Sequence, residues 1–196
     1  MEKSTKKLLD TRQLSIVGML SAISIFMGLT GIGFITLPFM KATIMHIPVI
    51  IGAIIEGPVV GGIVGLVFGL FSIYQNITSP TALSPIFMNP IVAIIPRVLI
   101  GIVSYYVYKF IKKKFKNIKI AYGASALFGT LTNTIGVLGL TYILFSNQYA
   151  VINDISSDMV LGMLSTIVLT NGLPEAILTV IIVIPVVSGI RRIYKG

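Results

Sequence analysis

The sequence predicts an all-α integral membrane protein with six transmembrane helices and both termini on the cytoplasmic side. Three observations lead to this fold class. Of the 196 residues, 55% are hydrophobic and only 11% are charged, whereas ordinary soluble domains carry roughly 25% charged residues. The apolar residues are grouped into long segments, as spanning helices of about 20 residues require. The basic residues lie mainly at the ends of these segments.

Six apolar segments follow one another along the chain. They lie at about 14–34, 44–56, 58–76, 86–108, 120–145 and 160–190. Six such segments leave room only for short loops, so a single membrane domain is expected to occupy residues 1–196. The second segment contains only about a dozen strongly apolar residues, and by itself it could be re-entrant or interfacial.

The distribution of positive charge decides the topology. The chain has 15 basic and six acidic residues, and 13 of the basic ones cluster at 3–12, 109–119 and 191–195. Cytoplasmic flanks of membrane proteins retain Lys and Arg, whereas translocated loops lack them. The three clusters should therefore share the cytoplasmic side, which six spans allow and five do not. Clusters at segment ends also favour contact with anionic membrane lipids over binding of nucleic acid.

Glycines recur in the third segment at spacings of three and four residues. They are Gly57, Gly61, Gly62, Gly65 and Gly69. Small residues at these spacings let helix backbones approach closely. The glycine stripe therefore predicts internal packing between helices.

An arginine, Arg97, lies near the centre of the fourth segment. Placing a charged arginine there costs several kcal/mol unless it faces a partner or water. Arg97 therefore needs an anion. Glu175 in the last segment could supply it as a structural ion pair, or an acidic ligand could supply it from outside.

Uncharged polar residues lie at a similar depth in the other segments. At 1.5 Å per residue, Arg97, Asn133 and Asn171 are about 16–18 Å below the outer boundary, and Glu175 is deeper, at about 22 Å. Thr132 precedes Asn133 and adds a hydroxyl. Such a band predicts a binding site for a hydroxylated, amide-bearing solute, with a structural polar network as the alternative.

Two prolines at the same level agree with a site. Pro96 and Pro174 each lack a backbone N–H and leave a carbonyl unpaired one turn earlier. Irregular backbone at membrane depth occurs where it lines a cavity or is buried in protein. The prolines therefore favour a cavity beside Arg97 and Asn171.

The sequence gives no indication of a metal site, a cofactor or an enzyme. It has no cysteine and one histidine, His46, which stands beside Ile47 and Pro48. His46 could contact a ligand, or it could be a hydrogen-bonded packing residue. The chain lacks a G-x-x-x-x-G-K-[ST] phosphate loop and the H-E-x-x-H and G-x-S-x-G motifs of hydrolases. A binding subunit powered by other proteins is favoured over an enzyme.

Three stretches resemble a known family: HIPVIIGAIIEGPVVGGIVGLVFGL at 46–70, SPTALSPIFMNPIVAIIPRVLIGI at 79–102 and TNGLPEAILTVIIVIP at 170–185. They are similar to the substrate-binding subunit of energy-coupling factor (ECF) transporters, over nearly the whole chain. The resemblance implies six helices in the bacterial cytoplasmic membrane and capture of a vitamin from outside. It also implies delivery by toppling against a transmembrane scaffold subunit that two ATPase subunits drive.

The family also carries a small-x-x-x-small motif on its first helix, usually two alanines, which packs on the scaffold subunit. Gly18 and Ala22 have this spacing here. Glycine in the first position departs from the usual pattern but still allows close helix approach. The alternative is that the pair packs inside the subunit or faces lipid.

Within the family, NPIVAIIPR together with Asn133 looks most like the pantothenate-specific members. The carboxylate of pantothenate matches Arg97, and its amide and hydroxyl groups match Asn133, Thr132 and Asn171. Glu175 is a further candidate site residue. Riboflavin is the alternative vitamin. It carries no anion, so Arg97 should then pair with Glu175. A membrane scaffold protein without any solute is the alternative from another class.

Overall fold

A computed structural model describes residues 9–37 and 40–193, without the side chains of residues 34–42. The helices are α1 Thr11–Leu29, α2 Ile47–Glu56, α3 Pro58–Thr78, α4 Ser84–Phe87, α5 Pro90–Lys114, α6 Ile118–Ile152, α7 Val160–Ile167 and α8 Leu173–Ile193. The strands β1 Phe34–Leu37 and β2 Met40–Thr43 lie between α1 and α2. A 3₁₀ turn at Ser157–Met159 precedes α7, and a π-helical turn at Val168–Gly172 joins α7 to α8.

Five helical stretches in the described residues are long and apolar enough to cross a membrane: α1, α3, α5, α6 and the stretch Ser157–Ile193. The predicted helical membrane architecture is confirmed at this level. The chain is helical over most of its described length, as predicted, and the short antiparallel hairpin of β1 and β2 was not predicted. Residues such as Ile35 and Thr36 are β-branched and are favoured in strands.

Helix α2 is the shorter apolar helix and forms the centre of the molecule. Its 10 residues span only about 15 Å, half of the roughly 30 Å hydrocarbon core. Every residue from Ile47 to Ile54 is buried, and α2 packs against α1, α3, α5, α6 and α8. A helix surrounded by protein can be apolar on all sides. Gly57, with a φ of 103°, makes the turn into α3 in a conformation that favours glycine.

Polar contacts bring four helix ends together. Arg12 at the start of α1 pairs with Glu56 at the end of α2, with an N–O distance of 2.8 Å. Near the end of α8, Arg191 donates to the carbonyl of Ile54 at 3.0 Å. Its guanidinium lies 5.0 Å from the ring centre of Tyr108, near the end of α5. We call this side of the molecule the basic end.

Two predicted boundaries were wrong. Helix α6 continues through Ile152, with a kink at Phe145 (φ −134°, ψ 21°), so much of the predicted loop at 146–159 is helical. Helix α5 begins at Pro90 and not near residue 86, because the Asn89 side chain accepts the N–H of Ile91 and caps the helix. Hydropathy does not detect either feature, since helix capping and kinks depend on backbone geometry.

Close approach between α3 and α5 depends on the glycine stripe. A β-carbon at Gly65 would overlap the carbonyl oxygen of Arg97, and one at Gly69 would lie 2.8 Å from the carbonyl oxygen of Ala93. A β-carbon at Gly61 would lie 3.0 Å from a Cα atom of α5. Internal packing is therefore confirmed for these three glycines.

Gly62, one turn along the same helix, provides a matched control for the close contact at Gly65. Its β-carbon would meet only a methyl group of Val98, at 3.9 Å. We expect Gly65→Ala to lower stability by about 1–3 kcal/mol through overpacking, and Gly62→Ala to leave it unchanged or slightly higher. Thermal melting of the two purified variants in one detergent measures this. Equal melting temperatures would contradict the tight α3–α5 contact.

Candidate functional site

A cavity of about 510 Å³ lies between α3, α5, α6 and the last membrane stretch. It reaches exposed residues Ser79 and Thr81 in the connection from α3 to α4, away from the basic end. Its lining includes Arg97, Asn133, Asn171 and Glu175, although these residues are far apart in sequence. The structure therefore brings together four of the residues that the sequence indicates as a site.

Arg97 provides the positive charge in the cavity. Its Nη1 donates to the carbonyl oxygen of Val92 at 2.7 Å, and its Nη2 lies 3.5 Å from the hydroxyl of Ser72. The guanidinium stands 5.6 Å from the ring centre of Phe68, a cation–π distance. Its Nε is buried and has no hydrogen-bond partner among the described residues. These contacts orient the cation without neutralising it.

Glu175 is buried and lines the same cavity, but it does not pair with Arg97. Its Oε1 accepts the backbone N–H of Thr43 at 2.8 Å, which ties α8 to the end of the hairpin. Within residues 9–37 and 40–193, Arg97 takes part in no ion pair. The structural ion pair considered from the sequence is therefore not formed, and the charge of Arg97 is available to a ligand.

Asn133 and Asn171 supply amide groups from two different spans. Asn133 is 9% exposed, and its Oδ1 is buried without a hydrogen-bond partner in the described structure. Asn171 lies in the π-helical turn, three residues before Pro174. Such turns are rare and often occur at functional sites. Here the turn places Asn171 beside Glu175 in the cavity lining.

Thr132 is not brought into the cavity. Its hydroxyl donates to the carbonyl of Phe128 at 2.7 Å, within its own helix. Thr134 and Val137 line the cavity in its place. Because successive residues of an α-helix are about 100° apart, Thr132 and Thr134 point in nearly opposite directions.

His46 is fully buried but also lies outside the cavity lining. Its Nε2 is 2.9 Å from the hydroxyl oxygen of Thr130 and 3.0 Å from that of Thr179. These two hydroxyls already donate their protons to the carbonyls of Ala126 and Glu175. Both oxygens therefore accept from the N–H at Nε2. His46 ties α2 to α6 and α8, as the packing alternative expects.

Polar residues at the end of α3 belong to the cavity lining but were not predicted. Ser72, Gln75 and Asn76 share one face of α3. Asn76 donates to the carbonyl of Ser72 at 2.8 Å and accepts from the Ser84 hydroxyl at 2.9 Å, which holds α4 against α3. The signal in the sequence is polar residues at three- and four-residue spacing, in a segment interpreted only through its glycines.

The pair Gly18 and Ala22 lies on the exposed side of α1. The buried side of this helix is formed by Val17, Ser21 and Ser24, together with Gly28 near its end. A β-carbon at Gly18 would meet no atom within 4 Å. The pair therefore does not pack inside the subunit.

The buried contacts of His46 predict a large loss of stability when its side chain is removed. We expect His46→Ala to destabilise the protein by about 2–4 kcal/mol, through a cavity and two lost hydrogen bonds. Thr132→Val, which removes a hydroxyl outside the cavity, should change stability by less than about 0.5 kcal/mol. Melting temperatures of the purified variants compare the two. A His46→Ala protein as stable as Thr132→Val would refute the network.

Comparison with known proteins finds a matching family and two similar transporters. Residues 12–187 match the family model described as ECF transporter, substrate-specific component. The pantothenic acid transporter PanT of Lactococcus lactis subsp. cremoris is 35% identical over 170 residues, covering 79% of this chain and 81% of the relative. The pantothenate transporter PanT of Leuconostoc mesenteroides subsp. mesenteroides is 32% identical over 146 residues, covering 73% and 72%.

Proposed function

The chain belongs to the family of ECF transporter substrate-specific components, and from this premise we propose that it binds pantothenate for uptake into the cell. Members of this family are multi-pass membrane transport proteins and not enzymes, and they work with an energy-coupling module. Both similar proteins carry pantothenate in their names. Membership of this family also rules out the alternative that the chain is a membrane scaffold protein without a solute.

The observation that carries the proposal is the unpaired Arg97 guanidinium in the cavity. Among residues 9–37 and 40–193, its Nε finds no acceptor and the Oδ1 of Asn133 finds no donor. A fitting ligand must therefore present an anion together with an N–H or O–H group. Pantothenate carries a carboxylate and, two carbons away, an amide N–H. We assign the carboxylate to Arg97, as a charge-assisted contact, and the amide N–H to Asn133.

The opposite part of the ligand is assigned to the last span. One oxygen of Glu175 is occupied by the N–H of Thr43, and its second oxygen can accept a hydroxyl proton. Asn171 offers an amide at the same wall. A carboxylate repels the carboxylate of the ligand but accepts from its two hydroxyls. Glu175 therefore sets the orientation, while apolar residues such as Val137 and Ile167 face the two methyl groups.

Riboflavin fits this cavity less well. It has no carboxylate, so its binding would leave Arg97 without a counter-ion in a membrane protein. The pair of Arg97 with Glu175 that riboflavin would require is absent from the described structure. Pantothenate therefore accounts for the charge arrangement, and riboflavin does not.

We further propose six membrane crossings with the basic end in the cytoplasm. Arg12, Arg191 and the lysines at the end of α5 lie at this end, as the retention of Lys and Arg in the cytoplasm requires. With α2 and the hairpin as the second crossing, both termini are cytoplasmic. The cavity then opens toward the outside, where a vitamin is captured.

The exposed pair Gly18 and Ala22 is proposed to contact the transmembrane scaffold subunit of the coupling module. A helix surface without bulky side chains allows a partner helix to approach closely. The pair lies on a face of α1 that no other part of the described chain covers. The proposal follows from this exposure and from family membership.

Binding measurements test the proposed ligand. Purified protein should bind pantothenate saturably, and Arg97→Gln should weaken that binding at least about 100-fold, because one partner of a buried charge pair is lost. Isothermal titration in nanodiscs measures both affinities. Thr132→Val, outside the cavity, is the control and should bind like wild type. Saturable riboflavin binding without pantothenate binding would refute the assignment.

A substitution at Gly18 separates docking to the scaffold subunit from ligand binding. Gly18→Trp should leave pantothenate affinity unchanged but reduce uptake at least about tenfold in cells that contain the coupling module, since the helices can no longer approach closely. Ile23→Trp is the control, because Ile23 is exposed on another side of α1. Equal uptake by both variants would contradict docking through the Gly18 face.

A further inference from the structure

The carbonyl of Val92 can bind the Arg97 side chain because residue 96, next to Arg97, is a proline. In a regular α-helix the carbonyl of Val92 accepts the backbone N–H of residue 96. Residue 96 is proline, which lies inside α5 and has no N–H. The carbonyl of Val92 instead accepts Nη1 of Arg97, at 2.7 Å. This is a short, charge-assisted hydrogen bond.

The hydrogen bond limits how the guanidinium can turn. With Nη1 attached to Val92, the planar group keeps Nε buried and without a partner, and Nη2 only reaches Ser72 at 3.5 Å. Because its contact with Ser72 is long, Nη2 retains hydrogen-bonding capacity for a ligand in the cavity. A ligand then meets an arginine that is already oriented, so less side-chain entropy is lost on binding.

We propose that Pro96 is a positioning residue for Arg97. Because Pro96 has no backbone N–H, the Val92 carbonyl remains free to accept a hydrogen bond from the guanidinium. This hydrogen bond orients the guanidinium to recognise a ligand carboxylate. The proposal rests on the proposed function for the identity of the ligand. Pro96 is buried and also packs against α6, where a β-carbon at Gly136 would lie 3.0 Å from it. Its packing and its missing N–H must therefore be tested separately.

The decisive variant is Pro96→Ala, which supplies the N–H that competes with Nη1 for the Val92 carbonyl. We expect the affinity for pantothenate to fall about tenfold, because the orientation of Arg97 is lost. The affinity for pantothenol, in which a hydroxymethyl group replaces the carboxylate, should stay within about twofold, since it does not depend on the charge of Arg97. The ratio of the two affinities is the readout.

Two further variants separate the N–H from other effects. Replacing residue 96 by lactic acid gives the alanine side chain on a backbone ester without an N–H, and should restore the wild-type ratio. Pro185→Ala changes a proline inside α8 and should leave the ratio unchanged. If Pro96→Ala does not fold, the ester variant decides: a wild-type ratio supports the proposal, and a reduced ratio overturns it.

Three other results would also decide the role of Pro96 or of the proposed ligand. An unchanged ratio in Pro96→Ala, or an equal loss of both ligands, would overturn the positioning role. If the wild type bound no pantothenate, the proposed function would fail, but the geometry would still be testable. Structures of unliganded wild type and Pro96→Ala should then show Nη1 on the Val92 carbonyl only in the wild type. The same contact in both structures would overturn the proposal.

Discussion

The constraint on which the structure depends is a guanidinium held inside a membrane protein, to which the described residues supply no counter-ion. An arginine at this depth requires partners, and the fold provides them from neutral groups. A carbonyl of α5, a hydroxyl of α3 and an aromatic ring of α3 surround Arg97. Neutral partners reduce the cost of desolvation but leave the charge intact. The site therefore attracts an anion because the neutral partners of Arg97 solvate its charge only in part.

Keeping Arg97 and Glu175 apart requires a separate partner for the carboxylate. The N–H of Thr43 provides it, and Thr43 is positioned by the hairpin and by the buried start of α2, where His46 contacts α6 and α8. The charge separation in the cavity thus depends on the hairpin and on the short helix α2. A full-length helix in this position would place no free backbone N–H beside Glu175, because interior N–H groups of a helix are already paired.

The sequence predicts the composition of the site better than its geometry. Counting residues from the predicted segment ends groups Arg97, Asn133 and Asn171, and all three line one cavity. The same counting puts Glu175 deeper than the other three, yet Glu175 lines the same cavity and follows a π-helical turn at Val168–Gly172 that the counting does not anticipate. Thr132 is a different error: adjacency in sequence does not mean the same face of a helix. The hairpin was not predicted, because nearly all of its residues fall in the short stretch between the first two apolar segments.

One face of α3 supports both the packing of the bundle and the binding site. Gly65, Phe68 and Ser72 are three and four residues apart, so they lie in line along the helix. Gly65 allows contact with the backbone carbonyl of Arg97, Phe68 faces its guanidinium, and Ser72 contacts Nη2. The same residue of α5 is therefore held at its backbone and at the tip of its side chain by two turns of one helix. Because all three contacts depend on one alignment of α5 with α3, a shift of α5 along α3 would move the charge of Arg97 out of the cavity. Close packing at the glycines is therefore required for ligand recognition as well as for stability.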